Sequence, residues 1–345
     1  MGSNQPKMTE AETAAARKQV LQTVRQTRLG RALLSALGKA QVKIVFSDDV
    51  AAAADLGDEK NIYGLFDLRN DTLYVDARAP LHAQLHFFAH EARHALQMQQ
   101  DRKINGASET ASIHLISPVT MLYLTRLREI DADVFAVCFV AQNDLHTGSK
   151  HFSEMCKRGG LFAKTDSYSR ATLYEAFLEN WQAQEVPRDM ARSARAVLSA
   201  FVQNTALLNA YNNFALHVWE KTAFAAAVEH AQKPSSDYFK SFRAAALQKD
   251  KAETPRQIFN KSAEAYGRLL VKSGAPDYLS GIKTDDLAKF ISEENAQAHP
   301  EHTTNYAYER ALENFEMAIK HYTAAPANSN APAAPRRAKK AGPKP

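Results

Sequence analysis

Between residues 8 and about 40 the chain repeats Ala, Leu, Val, Arg and Gln at helical spacing, without proline and with Gly30 and Gly38 as weak points. This predicts one or two opening helices. The period then shortens. Residues 42–46, Val-Lys-Ile-Val-Phe, read as a strand, and residues 62–68 followed by 72–75 read as a hairpin turning at Arg69, Asn70 and Asp71. Helical spacing returns at Pro80, a residue suited to a first helical turn because its missing N–H has no partner there, and runs to about Gln100. Ser117 as N-cap and Pro118 as first helical residue open another helix to about Gln142. After Gly159 and Gly160 helical text dominates, over 168–184, 190–223 with interruptions, and 305–322. The pattern predicts an α+β fold, predominantly α-helical: an N-terminal helical segment at 1–40, a mixed domain at 41–160, an all-α region at 161–322 and a tail at 323–345.

Charge changes this picture only at the end of the chain. The tail is rich in Pro and Ala and carries Arg336, Arg337, Lys339, Lys340 and Lys344 without an acid, which equals the formal net charge of +5 for all 345 residues. The rest is close to neutral, so the basic balance predicts a disordered tail and not a specific nucleic-acid interface. Cys138 and Cys156 are the only cysteines, which excludes a disulfide-built scaffold and a multi-cysteine zinc ribbon. Residues 1–21 lack the apolar core of a secretion signal. The longest apolar run, 134–141, is far shorter than the ~20 residues of a membrane span. A soluble, cytoplasmic protein without a membrane span is expected.

Candidate chemistry is concentrated in residues 87–96, Phe-Phe-Ala-His-Glu-Ala-Arg-His-Ala-Leu, which contain His-Glu-x-x-His. On a helix this spacing sets His90 and His94 one turn apart on one face, where both imidazoles can reach a single Zn²⁺. Glu91 turns slightly off that line, where its carboxylate can take a proton from the metal's water. The next predicted helix supplies Glu129 as a third ligand, with Asp133 four residues further on the same face. Asp131 competes with Asp133 for a supporting role, and the i+4 geometry favours Asp133. Arg128 either pairs with an acid near the site or stands on the surface, and the surface reading is preferred.

Together, His-Glu-x-x-His and the later Glu-x-x-x-Asp resemble the gluzincin zinc metallopeptidases. The Glu-x-x-Ala-Asp-x-Phe-Ala text looks most like soluble ImmA/IrrE-type peptidases, the catalytic core of membrane-bound prenyl-protein proteases, or an uncharacterised family of bacterial metallopeptidases. The resemblance covers roughly residues 42–142. It implies a zincin-like core with a small antiparallel sheet and metal-binding helices. It also implies His90, His94 and Glu129 as zinc ligands, Glu91 as general base and Asp133 as the acid that holds a ligand histidine. The function implied is hydrolysis of peptide bonds by a zinc-activated water, on a peptide or protein substrate or one specific regulatory partner. The hairpin at 65–75 stands where zincins bind substrate as an added strand. A catalytically silent zincin-fold scaffold is the alternative, and Mn²⁺ or Fe²⁺ suits the same ligands.

Other residues stay open. His82 and His86 extend the histidine stripe, and helical drift keeps only His86 near the metal face, as a packed or hydrogen-bonded residue, a ligand of a second metal or part of the cleft lining. His151, Tyr168 and Tyr174 are candidates for an oxyanion donor, with nothing to fix their position. Cys138 reads as core, Cys156 with His151 lacks the geometry of a thiol nucleophile pair, and Trp181, Tyr211, Phe214 and Trp219 read as core aromatics.

Overall fold

The computed structural model describes residues 7–55, 62–104, 118–157, 170–204 and 253–279, together with 207, 211, 215 and 317. The predicted helix at 305–322 (apart from 317) and the basic tail fall outside the described residues, as does most of the chain between 205 and 252.

Two helices open the chain, α1 (Glu10–Gln26) and α2 (Arg28–Lys39). The break falls at Thr27 and not at either glycine. Thr27 is extended (φ −94°, ψ 156°), ends α1, and its hydroxyl accepts the Gly30 N–H at 2.9 Å to cap α2. Gly30 is needed for a different reason: a Cβ there would lie 1.8 Å from the Val24 carbonyl oxygen.

Strand β1 (Lys43–Ser47), a short helix α3 (Val50–Ala53), and strands β2 (Gly64–Asp67) and β3 (Thr72–Asp76) follow. The sheet order is β1-β3-β2. β2 and β3 form the expected hairpin, with Asp71 in the left-handed region (φ 50°) at its turn. β1 pairs with β3 in parallel, Lys43 opposite Thr72, so the sheet is mixed and not the small antiparallel one expected. A hairpin turn reverses the chain between β2 and β3, whereas the longer connection from β1 through α3 and β2 restores its direction.

The long helices α4 (Leu81–Ile104) and α5 (Pro118–Thr147) come next, then α6 (His151–Cys156), α7 (Ala171–Ala183), α8 (Met190–Gln203) and α9 (Glu253–Ser273). The fold is therefore α+β and mostly helical. α4 packs along α5 on one side and against β2 and β3 on the other. One continuous apolar core joins Val24 of α1, Leu33 of α2, Leu73 and Val75 of β3, Phe88 of α4, Phe135 of α5, Phe177 of α7, Phe201 of α8 and Leu270 of α9. α4 and α5 are therefore buried over most of their described length, polar positions included. That burial makes their polar residues conspicuous: His86, His90, Glu91, Arg93, Asp131 and Asp133 are all buried. No helix among the described residues is long and apolar enough to cross a membrane.

Candidate metal centre

α4 carries His86, His90 and His94 at successive i+4 positions, and α5 faces it with Glu129 and Asp133. His90 Nε2 lies 2.9 Å from His94 Nε2, and Glu129 Oε2 lies 3.4 Å from the first and 3.5 Å from the second. The three atoms form a near-equilateral triangle. Ligands ~2.0–2.2 Å from a tetrahedral ion are separated by about 3.3–3.6 Å. The two Glu129 distances match an edge of such a tetrahedron and the 2.9 Å between the histidines is shorter, so His90, His94 and Glu129 could hold a divalent ion at its centre once the two rings part slightly.

Both imidazoles are fixed from behind. His90 Nδ1–H donates to Asp133 Oδ1 at 2.9 Å, and His94 Nδ1–H donates to Gln97 Oε1 at 2.9 Å. The Gln97 amide is itself oriented, because its Nε2 donates to the Arg128 carbonyl at 3.0 Å and to Asp131 Oδ2 at 2.6 Å, both pure acceptors. With both Nδ1 atoms donating outward, the two Nε2 atoms meet a carboxylate oxygen at one point, an arrangement that could hold a cation. Titration points the same way. Burial pushes His90 down, but Asp133, Glu129 and Glu91 outweigh it and raise its pKa to about 10. Burial likewise opposes ionisation of Glu129, and the two histidines overcome it and hold the carboxyl far below its usual range.

Glu91 is buried beside this triangle. Burial raises its pKa, with Glu129 adding to the rise, while His90, His94 and the Phe66 N–H act against it. That N–H belongs to the outer edge of β2: Asp76 N–H donates to the Tyr63 carbonyl, so alternation turns the backbone groups of Gly64 and Phe66 away from β3. Gly64 lets the carboxylate approach, since a Cβ there would come within 3.0 Å of Glu91 Cγ and 3.1 Å of Oε1. The strand expected beside the metal helix is thus β2, an edge strand, and β3 is the central one.

Asp133 serves more than His90. Arg170 Nε donates to its Oδ1 at 3.0 Å, and Tyr211 O–H points to its Oδ2 at 3.4 Å. Arg170 also donates to the Tyr211 oxygen at 2.7 Å. Burial raises Tyr211 well above its ordinary value, and Glu129 and Glu91 are close enough to add to the shift. Tyr211, expected to be a core aromatic, does stack on Phe201 at 5.9 Å, but its hydroxyl reaches the site. Neither Arg170 nor Tyr211 stands in a motif, and no spacing in the sequence could have found them.

His86 is fully buried, hydrogen-bonds through Nδ1 to Tyr174 Oη at 2.9 Å and has Nε2 3.5 Å from Asp133 Oδ1. With His90 and Asp133 it forms a second group whose atoms lie close enough for an ion, but Arg170 already supplies a cation to that carboxylate. Burial lowers His86 to about 4, so it is neutral and supports the site from beneath. Asp131 accepts Arg93 Nε at 2.7 Å and Tyr278 O–H at 2.7 Å, and touches the metal site only through Gln97. Arg128 is not a free surface side chain: it pairs with Asp101 at 2.7 Å, and Tyr266 of α9 donates to the same carboxylate.

The remaining candidates stand apart. His82 is half-buried near Glu154 and His151, away from the triangle, and Tyr168 lies outside the described residues. Cys138 is core; burial, with Glu175 adding, pushes the Cys156 thiol up to about 11, which leaves it protonated near neutral pH. The chain matches no family profile, no curated protein and no solved structure.

Proposed function

We propose that this chain is a zinc-dependent metallopeptidase. The observation that carries the reading is the convergence of His90 Nε2, His94 Nε2 and Glu129 Oε2 within 2.9–3.5 Å, with Glu91 buried alongside at the edge of a sheet. A bound divalent ion would supply Lewis-acid polarisation of a peptide carbonyl and of water. The other steps belong to the chain. The outward N–H and C=O of Gly64 and the C=O of Phe66 would pair with an extended substrate, while the Phe66 N–H holds Glu91. Glu91 would take a proton from the attacking water on one carboxylate oxygen as the new C–O bond forms. When the C–N bond breaks, the same oxygen would return that proton to the leaving amine. Burial raises the Glu91 pKa, which makes the carboxylate a stronger proton acceptor than an exposed glutamate. Tyr211, whose oxygen accepts from Arg170, would turn its O–H from Asp133 Oδ2 towards negative charge developing on the carbonyl oxygen.

The test is zinc content by elemental analysis after mild dialysis, followed by hydrolysis of a quenched fluorescent peptide library. Wild type and Glu91→Gln are expected to hold about one equivalent, and Glu129→Ala to lose it, with hydrolysis in wild type alone. Wild type that takes up no added zinc would sink the reading. Stoichiometric zinc without hydrolysis of any peptide would leave a metal-binding scaffold in its place.

A further inference from the structure

The sheet has a second free edge, remote from Glu91. There β1 borders a cleft of about 760 Å³ between the strand and α1. Lys43 N–H donates to the Asp71 carbonyl and the Ser47 carbonyl accepts from Ala77 N–H, so Lys43, Val45 and Ser47 turn their backbone groups towards β3. Alternation turns those of Ile44 and Phe46 outward, along the cleft. Among the described residues these outward N–H and C=O groups have no hydrogen-bond partner. An unpaired edge of this kind is a template for an added strand.

The facing wall is one stripe of α1, on which Arg17, Lys18, Leu21 and Arg25 recur at helical spacing. Leu21 and Ile44 are partly buried against the main core and give the cleft an apolar floor. Its rim is cationic. Lys7, Arg17, Lys18 and Arg25 are exposed, and none forms an ion pair among the described residues. Of the two acids in the lining, Asp48 is already answered by Arg78 at 3.1 Å and by the Met8 N–H at 2.9 Å, which leaves Glu10 against four cations.

We propose that this cleft binds an extended acidic segment of a partner protein, added as a strand to β1 with its carboxylates against the α1 cations. Unpaired backbone groups select an extended peptide over a nucleic acid or a folded surface, and the rim selects acidic side chains. The binding is independent of the metal centre, because it uses the opposite edge of the sheet.

The test is fluorescence anisotropy with the full chain and a labelled peptide that alternates glutamate and valine and is long enough to span β1. Saturable binding that weakens with salt is expected. It should fall by about tenfold or more in Arg17→Glu/Lys18→Glu, a variant of two exposed side chains whose melting should match wild type. The same peptide N-methylated at every second residue should bind far more weakly, because its pairing edge is blocked. Equal binding of the N-methylated peptide would show charge attraction without strand pairing, and equal binding by the double variant would trace the affinity to cations elsewhere, such as Arg336 to Lys344 of the tail; either result overturns the proposal. Tighter binding of a single-stranded oligonucleotide to wild type than to the double variant, with no saturable peptide binding, would also overturn it.

Discussion

His90 and His94 share one helix face but differ in what holds them. His90 donates to a carboxylate that Arg170 also grips, whereas His94 donates to the neutral amide of Gln97, which two acceptors orient. Removing that amide leaves the His94 ring free to turn and to change tautomer, so Gln97→Leu is expected to weaken zinc binding by about ten- to a hundredfold. Gln97→Glu should not recover it, because its second carboxylate oxygen would face Asp131 Oδ2 and the Arg128 carbonyl, both acceptors; competition with a chromophoric chelator measures both. A second expectation concerns pH. In chelator-treated protein His90 is raised to about 10 against 6.5 in the unfolded chain, so the folded state holds the extra proton between those values. Its contribution to stability is fully present below pH 6.5 and is lost as pH rises through about 10. His94 is raised too and acts in the same direction. Urea titrations of chelator-treated protein should therefore lose stability from neutral towards alkaline pH, and zinc-loaded protein should lose much less, since the ion replaces the proton. At this scale the sequence was readable where chemistry repeats along one helix: Asp133 over Asp131 followed from i+4 spacing. It left Arg128 between an acid partner and the surface, because the acid that pairs with it, Asp101, lies on another helix.

The pairing of α4 with β2 makes a helix residue and a strand residue into one unit. Glu91 accepts the Phe66 N–H, and Gly64 gives it room. Phe87, whose Cβ would meet an added methyl at 3.1 Å, is stacked on Tyr63 at 5.4 Å and has little freedom to retreat. Gly64→Ala should therefore displace the Glu91 carboxylate while leaving the triangle intact. The expected result is unchanged zinc content with hydrolysis reduced by about tenfold or more, read from kcat beside elemental analysis. The elements themselves were largely legible, because strand and helix periods are local properties. The parallel pairing of β1 was not, since it depends on where a connection of many residues brings the chain back. The break at Thr27 was missed for a related reason: a hydroxyl cap ends one helix and begins the next in a place where composition alone points to glycine.

Across the whole molecule, residues far apart in sequence brace the metal helices from behind. Arg93 of α4 is fully buried against Asp131 of α5, and α9 with the residues after it closes the group. Tyr278 donates to Asp131, the Tyr266 carbonyl accepts from Arg93, and Tyr266 donates to Asp101. Arg93→Met would remove the cation and leave a buried carboxylate, a change expected to cost about 3–5 kcal/mol in urea unfolding. Tyr278→Phe should cost about 1–3 kcal/mol by the same measurement, since one hydrogen bond to a charged group is lost. By itself the sequence determined which faces of two helices carry His90, Glu91, His94, Glu129 and Asp133, because helical geometry converts spacing into direction without reference to the rest of the chain. It also determined a mostly helical α+β class, through periods read over short windows. Only the tertiary structure decided that Glu129 comes within 3.4–3.5 Å of both histidines, that Glu91 lies on a strand edge, that Arg170 and Tyr211 reach Asp133, and that Tyr266 and Tyr278 brace the helices from behind. Those contacts join segments tens to more than a hundred residues apart. They are set by how apolar faces pack into one core, which no local spacing encodes.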